Sequence, residues 1–333
     1  MAEIIATVVI PNYNGGGHLP HLMESLAAQS ETRFQITVVD DASSDDSVAY
    51  LRRQWPEVRL ICNRKNLGFA GSCNAGIREA STAVVVLLNN DTHVDSHWMA
   101  EGVKPFDDAQ VGSVASLVLL AEPPHLIDTA GDVYSVVGGA VKRGHGQARE
   151  RAAGLDRDCF SASGASAFYR RSALSEAGLL DERFESYYED VDLGFRLAWA
   201  GYRCCFAPGS ICYHHLSSSY HPAGWRYHFN SARNAEVVWW SHLPAMLRLR
   251  YGIGHLFFCL LQGANKLRQG CLAAYIAGKW SVWRRLGHIR QKRRHDWLIA
   301  KVGGAEISSR LVHRWWRLHW AHWVRRPRGR KEG

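Results

Sequence analysis

The chain has eight cysteines, yet no two form a C-x-x-C pair and none sits at a zinc-finger spacing. That pattern excludes a zinc ribbon or a disulfide scaffold and predicts reduced, mostly buried thiols in a reducing compartment. A long hydrophobic run is also missing. The longest apolar stretch, residues 251–264, is interrupted by His255 and Gln262 and falls short of the roughly 20 residues that cross a bilayer. No basic n-region or cleavage site precedes the first strand-like segment, so secretion is not expected. Low-complexity tracts and internal repeats are absent. Acidic residues are scarce at one end: residues 266–333 carry 18 Lys and Arg against 3 Asp and Glu, and seven of the 13 tryptophans. The net charge of +9 therefore combines an acidic body with a basic, Trp-rich tail. With 47% hydrophobic residues in 333, the core suffices for one large domain and an appendage.

Residues 4–10 form an apolar run closed by Pro11-Asn12-Tyr13-Asn14-Gly15, and Leu19, Leu22, Met23 and Leu26 then recur at helical spacing. The pattern repeats. A run at 36–39 ends in Asp40-Asp41, a polar helix start follows at 44–47, and 58–62 reads as a third strand. Asn66-Leu67-Gly68-Phe69-Ala70-Gly71 opens a helix toward Ala80, and 83–88 makes a strand ending in Asn89-Asn90-Asp91. Buried runs alternating with helices predict a mainly parallel, helix-covered α/β sheet. Ligands of such sheets lie beyond the carboxyl ends of the strands, where Asn12, Asp40, Asp41 and Asp91 fall. Residues 112–165 are richer in Gly, aperiodic, and point to no site. From about 245 the pattern turns helical, basic and aromatic, which divides the chain into 1–240 and 241–333.

The densest chemistry is Glu185-Ser-Tyr-Tyr-Glu-Asp-Val-Asp-Leu193. Leu193, Leu197 and Ala200 continue it as an amphipathic helix that Gly201 stops. Glu189, Asp190 and Asp192 crowd its first turn. One carboxylate would suffice to cap the helix and complement its dipole; three behind two tyrosines point to a polar cleft with one available as a base. Asp40 closes a buried strand and serves either as a turn cap or as an acceptor for a uracil or thymine imide N–H. The Asp40-Asp41 pair also resembles the acidic pocket of a phosphate-receiver domain, but the later lysine such a domain needs is not evident. Asp91 projects from a strand end and can hold a divalent cation against a diphosphate. His214, with His215 as its competitor, would join it in a mixed carboxylate and imidazole set that suits Mn²⁺ and tolerates Mg²⁺. The tail, taken as a helix over 306–326, has the composition of an interfacial membrane helix; a packed accessory helix and a nucleic-acid patch are the other readings.

Taken together, Val9-Ile10-Pro11-Asn12-Tyr13-Asn14-Gly15, Val38-Val39-Asp40-Asp41-Ala42-Ser43, Asn66 to Gly71, Leu87-Leu88-Asn89-Asn90-Asp91-Thr92 and Tyr188-Glu189-Asp190-Val191-Asp192-Leu193 resemble glycosyltransferase family 2. The likeness is nearest to rhamnosyltransferase-like members that build bacterial surface polysaccharides. It implies a GT-A fold followed by a helical basic C-terminal region. It further implies a nucleotide-sugar donor, a divalent cation (Mn²⁺ or Mg²⁺) and inversion at the anomeric carbon. Carried over residue by residue, Asp190 would be the general base with Glu189 beside it, and Asp91 and His214 would hold the metal. Pro11, Asn12, Asp40, Asn66, Gly68, Asn90, Asp192 and Arg233 would line the donor pocket, with Arg233 on the diphosphate. Asn89 departs from the acidic Asp-x-Asp of many relatives, so weak metal affinity without donor is expected. The partners implied are a glycan or polyprenyl-diphosphate-linked acceptor and the cytoplasmic membrane surface. The expected place is the inner face of that membrane, with no nucleic acid as ligand.

Overall fold

The computed structural model describes residues 3–216 and 224–318. The first half alternates as read: β1 (Ala6–Asn12), α1 (Leu19–Ala27), β2 (Phe34–Asp40), α2 (Ser47–Gln54), β3 (Arg59–Cys62), α3 (Gly68–Glu79) and β4 (Val84–Leu88). All four apolar residues of α1 are buried, as their spacing predicts. β1 pairs in parallel with β2 and β4, and β2 with β3, which sends every carboxyl end to one edge.

The second half is the part whose pattern was aperiodic. It contains β5 (Thr92–Val94), α4 (Trp98–Val103), β6 (Val111–Leu120), β7 (Ile127–Thr129), β8 (Asp132–Tyr134), β9 (Ala140–Lys142) and β10 (Asp158–Cys159). There follow β11 (Ser166–Arg170), α5 (Arg171–Ala177), α6 (Glu189–Trp199) and β12 (Arg203–His214). The main sheet runs β10-β12-β6-β11-β4-β1-β2-β3, with β5 on β12 and β7 on β6; β8 and β9 form a separate ribbon. β11 is antiparallel to both neighbours, whereas β6 and β12 are parallel. The sheet is thus mixed and mainly parallel, flanked by helices.

Among the described residues, β12 is followed by the helices α7 (Trp225–His242), α8 (Ala245–Arg268), α9 (Leu272–Ser281), α10 (Leu286–Ile299) and α11 (Gly304–Ser309). Residue 240 lies inside α7, and one apolar cluster unites Tyr134, Phe195 and Trp239 with Phe258, Val282, Ile289, Ile307 and Leu311. The C-terminal helices therefore share a core with the ribbon and α6. The single helix expected over 306–326 is not formed. Ile307 and Leu311 are plugged into that core, and Val312 exchanges backbone bonds with Tyr134 and Val136, which pulls 310–313 out of helical geometry. Residues 319–326 of that expectation lie outside the described residues.

α8 is unusual in the opposite sense. Of its 24 residues only Leu247, His255 and Phe258 are buried, while Leu249 is 81% exposed and Ile253 88%. No helix among the described residues is long and apolar enough to cross a membrane.

Candidate active site

Asn12 ends β1 and organises the carboxyl edge of the sheet around it. Its Nδ2 donates to Asp40 Oδ1 (3.1 Å) and to Ser47 Oγ (3.0 Å), and its Oδ1 accepts from Asn90 Nδ2 (2.9 Å). The other oxygen of Asp40 accepts from the backbone N–H of Ser43 (3.1 Å). Asn12, Asp40 and Asn90 thus form one chain across the ends of β1, β2 and beyond β4, next to Pro11. Gly15 is required beside it: a Cβ there would come within 2.2 Å of both Asn12 Oδ1 and Asn90 Nδ2.

Asp41 has a different task. It accepts from the backbone N–H of Leu67 (2.8 Å) and of Gly68 (2.9 Å), which are unpaired donors at the start of α3. Asn66 is exposed and its Oδ1 also accepts from Gly68 N (3.1 Å). Gly68 has φ +76°, and a Cβ on it would lie 3.5 Å from the carbonyl oxygen of Glu185. The Asn66–Gly68 turn therefore abuts the loop that leads to Asp190.

That loop holds three non-glycine residues at positive φ: Glu185 (65°), Tyr187 (70°) and Tyr188 (75°). Each costs about 1–3 kcal/mol and persists only where the surroundings over-determine it. The surroundings are on α7. Asn234 Nδ2 donates to the carbonyls of Phe184 (3.0 Å), Ser186 (2.9 Å) and Tyr187 (2.8 Å). Arg233 donates to Phe184 O (3.0 Å) and pairs with Glu185 Oε1 (3.0 Å). Arg233, expected on the diphosphate, is buried and committed to this clamp. Tyr187 packs edge-on against Tyr227, and Tyr188 joins the margin of the apolar core.

The three carboxylates at the start of α6 diverge. Asp190 is half-buried and accepts backbone N–H groups from Gly164 (3.2 Å) and Val191 (2.8 Å). Burial raises its pKa, but these donors favour the ionised form and oppose the rise. Glu189 is buried with no partner for Oε2, and burial plus the charge of Asp190 push it up to about 8. Asp192 was placed with the donor pocket, and there the expectation fails. It is fully buried and bonded to Arg196 Nε (2.9 Å), His242 Nε2 (2.8 Å) and Lys292 Nζ (2.7 Å), because its position faces α7 and α10 rather than the cleft.

Asp91 and His214, separated by over a hundred residues, meet at 3.3 Å where β12 pairs with β5. The other imidazole nitrogen of His214 is 3.3 Å from Asp128, a residue no sequence signal singled out. Burial would lower the His214 pKa, but Asp128 and Asp91 outweigh it and raise it to about 9. Lys142 Nζ in turn bonds both oxygens of Asp128 (2.7 and 2.9 Å). The neighbouring Asp132 is pushed up to about 8 by burial and by the charge of Asp190. Asp91, His214, Asp128, Lys142 and Asp132 thus form a run of ionisable groups whose last member interacts electrostatically with Asp190. Three of these residues come from the ribbon and β7, where the sequence had offered only glycines and short runs.

A mixed sheet with a carboxylate and an imidazole at its ligand edge, and a further carboxylate at a facing helix start, defines a GT-A glycosyltransferase. The chain belongs to glycosyl transferase family 2, whose model matches residues 7–178, just over half of it. It is 26% identical over 247 residues to an N-acetylglucosaminyl-diphospho-decaprenol L-rhamnosyltransferase of Mycobacterium tuberculosis, covering 66% of this chain and 78% of that protein. It is 27% identical over 226 residues to the O-antigen biosynthesis protein RfbC of Myxococcus xanthus, covering 64% of this chain and 17% of the relative. Among solved structures, the mannosyltransferase PcManGT of Pyrobaculum calidifontis, in complex with GDP-Man and Mn²⁺, matches with a TM-score of 0.55 at 18% identity, over 90% of this chain and 85% of that one. GalNAc-T7 with UDP, GalNAc and Mn²⁺ matches with a TM-score of 0.57 at 16% identity, over 71% of this chain and 47% of that one. These likenesses concern the fold.

Proposed function

We propose that this glycosyltransferase is an inverting enzyme that moves a sugar from a nucleotide-sugar donor to a hydroxyl of a polyprenyl-diphosphate-linked glycan. Rhamnose from dTDP-rhamnose is the first choice of donor. The observation that carries the reading is the run of ionisable groups from Asp91 and His214 to Asp190, because transfer needs a place for diphosphate charge and a base facing it. The rhamnosyltransferase relative supports the choice of sugar and acceptor.

A divalent cation, Mn²⁺ or Mg²⁺, would be held by Asp91 and His214. One carboxylate and one imidazole fit such an ion and leave positions for diphosphate oxygens. When bound, it supplies positive charge to the leaving diphosphate. Asp128 orients His214 from behind, as ligand imidazoles require. Asn12, Asp40 and Asn90 face the nucleoside, with the Asn66–Gly68 turn at its side. Asp190 accepts the proton of the acceptor hydroxyl as that oxygen attacks the anomeric carbon and the bond to the diphosphate breaks. No covalent sugar–enzyme adduct is needed.

The exposed face of α8 is the surface proposed to meet the membrane. Met246, Leu249, Ile253, Leu256, Phe257 and Leu260 recur at helical spacing, and Arg248, Arg250, Lys266 and Arg268 flank them. Apolar residues with basic neighbours suit an anionic leaflet. The enzyme would then work at the inner face of the cytoplasmic membrane. The test of function is a panel of nucleotide sugars with Mn²⁺ and a polyprenyl-diphosphate-linked N-acetylglucosamine acceptor. Product from dTDP-rhamnose supports the full reading. Product only from another donor overturns the choice of sugar, and no transfer from any donor overturns the proposed acceptor.

A further inference from the structure

Behind the Asp91–His214 pair, the β5–β12 ladder carries a second group of imidazoles. His93 pairs across the ladder with Tyr213 and stacks on its ring, with centroids 4.7 Å apart. Strand alternation puts Tyr213 on the face opposite His214. His215 follows, with His93 Nδ1 and His215 Nε2 at 3.2 Å. His21, exposed on α1, stacks on His93 with centroids 4.2 Å apart. One ring nitrogen from each of the three lies within 4.8 Å of the other two.

We propose that His21, His93 and His215 form a binding site for a zinc-class transition cation, separate from the donor-diphosphate site. The spacing carries the proposal. Zn–N bonds of about 2.0–2.1 Å in a tetrahedron put two donor nitrogens about 3.3 Å apart, which His93 and His215 already match. The third nitrogen reaches the same spacing by a small turn of His21, whose exposure leaves it room. An all-imidazole set suits Zn²⁺, Co²⁺, Ni²⁺ or Cu²⁺ and not Mg²⁺, which prefers oxygen. The fourth position falls to water or to His18, whose ring is 5.3 Å from that of His215. The cation would tie α1 to the β5–β12 ladder directly behind Asp91, whose carbonyl accepts the backbone N–H of His215 (2.9 Å). Another group with metal-ligand spacing, Glu236, His255 and Cys259, already holds a cation of its own, because Lys279 bonds Glu236 and lies 3.4 Å from Cys259 Sγ.

Zinc titration of the full chain, free of any added histidine tag, tests the proposal in an Asp91→Asn background that disables the diphosphate-side pair. One Zn²⁺ per chain is expected, with affinity weakened at least about 10-fold by His21→Gln or His93→Gln, the low end of the cost of disturbing even an outer partner of a ligand. His21→Gln changes an exposed side chain, so its fold is expected to survive, and circular dichroism checks that it does. Zn²⁺ should raise the Tm of the Asp91→Asn protein and leave that of Asp91→Asn/His21→Gln unchanged. Bound Co²⁺ should lack a sulfur-to-metal charge-transfer band. Zinc binding unaffected by both histidine substitutions, its absence in the Asp91→Asn background, or a strong sulfur band marking Cys259 would each overturn the site.

Discussion

Replacing Asn234 by Ala removes the clamp on the loop before Asp190 without touching the cleft. Two amide hydrogens serve three carbonyls and the amide oxygen accepts from Arg233 Nε (2.9 Å), so about three hydrogen bonds of about 1 kcal/mol each are lost. Against that stands the strain of three positive-φ residues at about 1–3 kcal/mol each. The release exceeds the loss, so the loop should relax locally while the sheet stays folded. Asp190 begins two residues after Tyr188, and a shift of about 1 Å in a reacting group costs about 100-fold in rate. The expected result is a kcat down by about two orders of magnitude and a donor KM changed less than about threefold, because Asn12, Asp40 and Asn90 lie on other elements. Steady-state transfer kinetics with urea unfolding read both numbers. A kcat near that of the unmodified enzyme, in a protein that has lost about 3 kcal/mol of stability, would refute the clamp.

Asp128→Asn should lower turnover about 10–100-fold by freeing His214, measured in the same assay, whereas an unchanged rate removes Asp128 from the site. Asp192→Asn should cost about 3–5 kcal/mol of unfolding free energy, since it strips charge from Arg196, His242 and Lys292; the molecules that remain folded should bind donor normally. Burial alone would raise the Asp192 carboxyl, but Lys292, Arg196 and His242 outweigh it and hold it well below the usual range. Glu236 is held low in the same way by Lys279 and His255. A depressed native pKa stabilises above the unfolded value near 4 and is lost as pH falls through the native one. Asp192 and Glu236 should therefore add no slope between about pH 7 and 5 and lose their contribution below about 4, so the acid-side drop should be shallower in Asp192→Asn; equal slopes there would contradict the assignment. Leu249→Ser with Ile253→Ser should abolish flotation with anionic vesicles and leave transfer to a soluble acceptor intact, and vesicle binding that survives both changes places the contact elsewhere.

The alternation of buried runs with helices made the parallel half legible, because β1 and β4 are covered on both faces and read as continuous apolar sequence. Asn12, Asp40, Asn90 and Asp91 were legible with it, as polar residues ending such runs. β7, β8 and β9 are three residues each, too short for any period to register, so Asp128, Asp132 and Lys142 stayed invisible. Asp192 and Arg233 were misread for another reason. A charged residue beside a motif looks the same in sequence whether it faces substrate or a partner buried from a distant helix. Here the partners, Lys292 for Asp192 and the Phe184 carbonyl and Glu185 carboxylate for Arg233, lie about 50 to 100 residues away. The tail's composition suggested one helix over 306–326, but Ile307 and Leu311 sit in the core and Val312 bonds the ribbon, which no composition reveals; among the described residues α8 also exposes an apolar face.

The central claim is that Asp190 is the base and that donor binding rests on other residues. Asp190→Asn keeps the shape and an oxygen that can accept the Gly164 N–H while removing the proton acceptor. Donor affinity by calorimetry with Mn²⁺, set beside single-turnover transfer on the same protein, measures the two separately. The account predicts a Kd within about threefold of the unmodified enzyme and a transfer rate down by at least about 100-fold. Transfer that persists near the original rate, or donor binding that disappears along with it, would contradict the account.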